Sequence, residues 1–233
     1  TEEKELIEKN RNYVPHDSVF PWKTMLRTPM IWALFFSYFC IQWANYFFVA
    51  WMPNYLQEGK HFSEKQMGTT MIFVYCAGIL AAFLFGIISD WLIRLKGNSF
   101  TRKTIAMISF GIMSLAIFIS ARATDQILVT VSFLTASFLL VIIVLTCFAT
   151  CLDIGGDRVS TLTGVMNFCG QAGAFLMSMF FGRIVDYTHS YEAPQFLLVI
   201  LLVVAGVCWI RIDSSKKLIL DRETVPAQLT VTV

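Results

Sequence analysis

Tyr38, Gln42 and Asn45 recur at i, i+4 and i+7, so a helix through them carries a polar stripe down one face, and Tyr46 adds a hydroxyl beside it. Asn167 and Gln171 stand four apart and share a face of another helix. Tyr75 is a hydroxyl in the middle of a third. All seven lie within long apolar runs. There an amide without a hydrogen-bond partner costs roughly 2–7 kcal/mol. One such residue alone is explained equally well by a helix–helix hydrogen bond. Two separate amide pairs with aromatic hydroxyls predict a shared solute cavity formed by Tyr38, Gln42, Asn45, Tyr46, Tyr75, Asn167 and Gln171. These groups donate to and accept from hydroxyls and carboxylates, which suits a polyhydroxylated organic solute. They do not make the ring of acids or the carbonyl filter of a selective cation channel.

Covalent chemistry has no comparable set. His16, His61 and His189 all fall in predicted loops outside the apolar runs, so no catalytic residue is assigned and no enzyme is expected. The six cysteines lie within or at the ends of apolar runs and read as small buried hydrophobes, not as a disulfide framework or metal site. A phosphate-cradling Gly-Lys-Ser/Thr motif is missing, and no cofactor is expected. A second constellation is charged: Asp90, Arg94, Arg102 and Lys103, with Asp153, Asp157 and Arg158 near the next loop on the same side. An acid ending one helix can contact the start of a neighbouring helix or nearby basic groups. Asp90, Arg94, Arg102 and Lys103 are therefore predicted to gate one side of the cavity rather than to touch the solute.

The elements that must position these groups are six apolar runs, near 30–56, 66–89, 103–121, 126–150, 161–185 and 194–212. Each is about the 20 residues that cross a hydrocarbon core about 30 Å thick. Backbone groups in lipid must pair internally, so the runs are predicted helices and the fold an all-α membrane bundle. A soluble helical domain fits poorly, because Leu197–Gly206 and Val131–Val144 have no charged face. The chain is 56% apolar and 15% charged, against roughly 25% charged in soluble domains. A net charge of +2 gives no reason to expect a nucleic-acid partner. With the first residue cytoplasmic, all of the 18 Lys and Arg except Lys60, Lys65, Arg122 and Arg183 fall on the inner side. That bias predicts both ends of the segment in the cytoplasm of a cell membrane.

Residues 1–29 are expected to be a cytoplasmic linker, 30–213 the six spans and 214–233 a cytoplasmic tail. The charged, proline-broken beginning reads as a linker entering a membrane domain, as in the second half of a longer protein. The second helix is expected to end at Asp90, with a basic loop from Trp91 to Lys103. Pro53 is expected to bend or loosen the far end of the first helix. Trp43 falls at mid-membrane, where it either packs in the core or lines the cavity.

The segments Gly86-Ile87-Ile88-Ser89-Asp90 and Gly182-Arg183-Ile184-Val185-Asp186 end the second helix of each triplet, a weak sign of inverted three-helix repeats. Gly86 to Arg94, followed by Arg102-Lys103, resembles the loop motif of major facilitator superfamily transporters. Phe47, Trp51, Pro53, Tyr55 and Leu56 resemble the Phe-x-x-x-Trp-x-Pro-x-Tyr-Leu signature of the anion:cation symporter family. Asp153-Ile154-Gly155-Gly156, Gly164-Val165-Met166-Asn167 and Gly182 to Asp186 look like its tenth and eleventh helix region. Two departures are Gly155-Gly156 in place of a small-Pro pair and Arg183 where an apolar residue is usual. The resemblance implies the C-terminal half of a twelve-helix major facilitator fold, with these six helices as the seventh to twelfth. Asn167 is then the eleventh-helix asparagine that contacts substrate.

Members of that family carry hexuronates, glucarate or galactonate with protons, and animal relatives carry sialic acid, glutamate or phosphate. The function implied is symport of a sugar acid with protons by alternating access. The partners are a small organic anion, the proton, membrane lipid and a separate N-terminal six-helix half. That half would supply the coupling carboxylates and the cation that pairs with the substrate. The alternatives are a non-transporting membrane sensor or scaffold, and a transporter of another carboxylate or of inorganic phosphate.

Overall fold

Pro29 opens the first long helix at its N-terminal turn, where a missing N–H costs nothing. The computed structural model describes residues 22–214. The expected linker positions 1–21 and tail positions 215–233 lie outside the described residues. A short helix α1, Trp22–Arg27, precedes six helices long and apolar enough to cross a bilayer. These are α2 Pro29–Gly59, α3 Glu64–Lys96, α4 Asn98–Arg122, α5 Gln126–Gly155, α6 Val159–Thr188 and α7 Ala193–Arg211. No strand occurs among the described residues.

Several expected boundaries move. Helix α3 does not stop at Asp90 but runs to Lys96, and Gly97 alone separates it from α4. Nothing between Asp90 and Lys96 interrupts a helix, whereas Gly97 takes φ +80°, which favours glycine. The expected basic loop is therefore two helix ends. Arg94 and Lys96 sit in the last turn of α3, where cations meet its negative end. Arg102 and Lys103 lie within the start of α4. Helix α5 similarly continues past Cys151 to Gly155, and Gly156 takes φ +50°.

Helix α2 is the most buried span and α3 the least. Its main neighbour is α6, while α5 packs against both α3 and α4, and α4 against α7. The parallel pair α3 and α5 is tied by a polar seam. Gln66 Nε2 donates to Gln126 Oε1 at 2.7 Å, the Thr70 and Thr130 hydroxyls pair at 3.2 Å, and Ser137 Oγ donates to the Val74 carbonyl at 2.9 Å. Large apolar side chains such as Ile72, Phe83, Ile87, Phe168 and Phe175 point out of the bundle. In water such a surface would aggregate; against lipid or another apolar helix it is stable.

The far end of α2 is not a regular α-helix. Phe47–Trp51 and Tyr55–Gly59 are π-helical turns flanking Pro53. Lys60 follows directly, and its ammonium donates to the Ala121 and Ala123 carbonyls at 2.8 and 2.9 Å. It also lies 3.6 Å from Glu192 Oε1. Burial lowers the Lys60 pKa, and Glu192 opposes that shift. The lysine thus closes the C-terminal end of α4 and joins it to α2 and to the turn before α7. Lys60→Met strands two carbonyls and Glu192, so the chain is expected to lose about 1–3 kcal/mol. Thermal unfolding of Lys60→Met beside Lys60→Arg checks this, and a Met variant as stable as the parent would discount the tie.

Candidate functional site

The polar stripe of α2 meets α6 at mid-span. Tyr38 Oη donates to Asn167 Oδ1 at 3.1 Å, and Asn45 Nδ2 donates to Gln42 Oε1 at 3.4 Å. Two glycines of α6 permit this approach. A Cβ on Gly170 would lie 2.6 Å from the Tyr38 ring and 2.8 Å from Gln42 Cγ, and one on Gly173 would lie 2.4 Å from the Phe39 carbonyl oxygen. The small residues therefore let helix backbones close up and set Tyr38 beside Asn167.

Burial grades across the set. Tyr38 and Gln42 are buried, Asn45 and Asn167 half-buried, and Tyr46 and Gln171 exposed. Each primary amide carries two donors and an acceptor oxygen with two lone pairs, so the bonds above leave capacity for a ligand. Aromatic rings wall the same helix pair: Trp43 stacks on Phe180 at 6.4 Å, and Trp51 on Phe181 at 4.6 Å. Trp43 is buried, and its indole packs between α2 and α6 against Phe180. Phe148 of α5 meets the Tyr38 ring edge-on at 5.8 Å. It is a member the sequence does not single out, because one phenylalanine in an apolar run carries no signal of its own.

The structure thus brings Tyr38, Gln42, Asn45 and Asn167 together, with Tyr46 and Gln171 on the same two helices. Tyr75 is placed elsewhere: its hydroxyl donates to the Phe48 carbonyl of α2 at 3.2 Å.

The charged constellation lies at the end of the bundle that carries Gly97. Arg102 Nε is 3.1 Å from Asp153 Oδ2, and Arg102 Nη1 donates to Ser89 Oγ at 2.7 Å. One side chain thereby joins α4 to both α5 and α3. Lys103 Nζ donates to the Ile210 carbonyl at the end of α7. Asp90 and Arg94 are exposed. Ser89 faces Arg102, and successive side chains of a helix are about 100° apart, which turns Asp90 away from it.

A model of the Major Facilitator Superfamily matches residues 1–178. The Probable sulfoacetate transporter SauU of Cupriavidus necator is 26% identical over 176 residues, 75% of this chain and 40% of that protein. The Probable anion transporter 6, chloroplastic, of Arabidopsis thaliana is 28% identical over 202 residues, 84% of this chain and 39% of that protein. The Probable galactarate/D-glucarate transporter GudP of Escherichia coli is 26% identical over 172 residues, 73% of this chain and 38% of that protein. The chain matches about two fifths of the length of these curated relatives.

Proposed function

This chain belongs to the Major Facilitator Superfamily, and we propose that it forms the C-terminal six helices of a twelve-helix transporter of organic anions. The substrate class is a sugar acid, moved with protons by alternating access. The observation that carries this reading is the Tyr38–Asn167 hydrogen bond between α2 and α6, with Gln42 and Asn45 beside it. The names of two relatives support an organic-acid substrate, one sulfoacetate and the other galactarate or D-glucarate. None of the grouped side chains is ionisable near neutral pH. They would bind the hydroxyls of the solute, and the other half would supply the pairing cation and the coupling carboxylates. Placing the Gly97 end in the cytoplasm of a cell membrane follows from the bias of Lys and Arg. There the Arg102–Asp153–Ser89 contacts brace three helices. Asp90 and Arg94 are proposed to meet groups of the other half, so Asp90→Ala should alter the rate of conformational exchange.

Asn167→Ala in the full-length protein tests the site. Uptake of labelled glucarate, galactarate, sulfoacetate and phosphate across an imposed pH gradient should show KM for the true substrate raised about tenfold, the worth of one hydrogen bond to a buried group. The variant should still insert in the membrane. Unchanged uptake kinetics would remove Asn167 from the site, and indifference to the pH gradient would remove the proton.

A further inference from the structure

Pro53 leaves a defect in the backbone of α2, and the chain repairs it from a neighbouring helix. In the π turn at Phe47–Trp51 the ladder has slipped by one residue, so the Met52 N–H bonds the Phe47 carbonyl, five residues back. In that register the next carbonyl, Phe48, falls to residue 53. Residue 53 is a proline and has no N–H to give. A carbonyl left without its donor inside a membrane span costs free energy comparable to a lost hydrogen bond. The Tyr75 hydroxyl, from the middle of α3, donates to the Phe48 oxygen at 3.2 Å.

We propose that Tyr75 is a positioning residue that stands in for the missing N–H of Pro53, and that it latches α3 to the point where α2 bends. Below the latch, α2 is held against α6 by the close approach at Gly173 and carries Tyr38, Gln42 and Asn45. Above it, the segment from Met52 to Gly59 ends at the Lys60 tie. The two anchored parts meet at the π turn, so a change in the bend there is transmitted along α2 to the stripe about one to three turns away. Tyr75 then acts through the backbone of α2 and does not bind solute. Its role in transport rests on the function proposed above, whereas its bond to Phe48 does not.

Hydrogen exchange by mass spectrometry on the full-length protein tests the latch. Tyr75→Phe removes only the hydroxyl and should raise exchange of amides 47–59 about 2- to 10-fold, the range set by one neutral hydrogen bond. Pro53→Ala restores a backbone N–H. In that background the Tyr75→Phe increase should shrink to less than about twofold, a coupling expected only when two groups serve one partner. Glucarate uptake by Tyr75→Phe should change in turnover with its half-saturating concentration within about twofold. Additive effects of the two substitutions on exchange would overturn the latch. So would unchanged exchange with a raised half-saturating concentration, which would make Tyr75 a ligand. Should the protein prove not to carry glucarate, the exchange cycle still decides the latch, and the transport reading fails separately.

Discussion

Gly173→Ala is expected to abolish uptake by the full-length protein and to lower its unfolding temperature, although it adds a single methyl group. That carbon would sit 2.4 Å from the Phe39 carbonyl oxygen and 3.1 Å from its carbon. Both are backbone atoms of α2 and cannot swing aside as a side chain would. The helices must separate by several tenths of an ångström or more, and overpacking of this kind costs about 1–3 kcal/mol. Separation also pulls Tyr38 from Asn167, whose bond spans the same pair of helices at 3.1 Å. Gly170→Ala should behave differently, because its methyl meets the Tyr38 ring and Gln42 Cγ. Those side chains can turn, so a larger loss of substrate affinity than of stability is expected there. Gly111→Ala is the control: nothing lies within 4 Å of its Cβ, and helix propensity alone predicts a gain of up to about 1 kcal/mol. Thermal unfolding and uptake kinetics of the three variants side by side check the ordering. If Gly173→Ala matches Gly111→Ala in both, the close packing of α2 on α6 is wrong.

How much of this is legible in the chain depends on the range of the interaction. The six spans are legible because a bilayer imposes its own length and apolarity on each segment independently. The Tyr38, Gln42 and Asn45 stripe is legible for a related reason, since helical period places residues on one face without reference to any other helix. Its junction with Asn167 is only half legible: the i, i+4 spacing gives each face, but Gly170 and Gly173 decide that the two faces meet. Tyr75 marks the limit. Its apolar surroundings predict that the hydroxyl needs a partner, and both a solute and a backbone carbonyl satisfy that need. Choosing between them requires the π turn at Phe47–Trp51, a one-residue slip with no periodic signature. The acid partnering Arg102 is hidden in the same way. Asp90 is nearer in sequence, but an uninterrupted α3 turns it aside, and Asp153 arrives from a helix 51 residues away.

Removing that partner should shift the conformational equilibrium of the full-length protein. The Arg102 and Asp153 side chains are only 12% and 17% exposed, so breaking the pair leaves a largely desolvated charge. The cost of an uncompensated buried charge reaches about 3–5 kcal/mol, and residual water contact here reduces it toward the lower end or below. Arg102→Ala strands both Asp153 and Ser89 Oγ, whereas Asp153→Asn keeps a neutral acceptor and should be milder. If the brace holds the Gly97 end in one of two states, Arg102→Ala should change the ratio of those states by about tenfold or more. Electron–electron distance measurements across the Gly97 end, with spin labels on each half in lipid vesicles, read that ratio directly. The double exchange Arg102→Asp with Asp153→Arg should recover part of the parental distribution, since Coulomb attraction survives reversal even where geometry is imperfect. A lowered unfolding temperature with unaltered distances would make the triad a structural clamp within this half and leave gating to other groups. Altered distances that the double exchange fails to move back would assign the effect to lost packing of the arginine stem instead of charge.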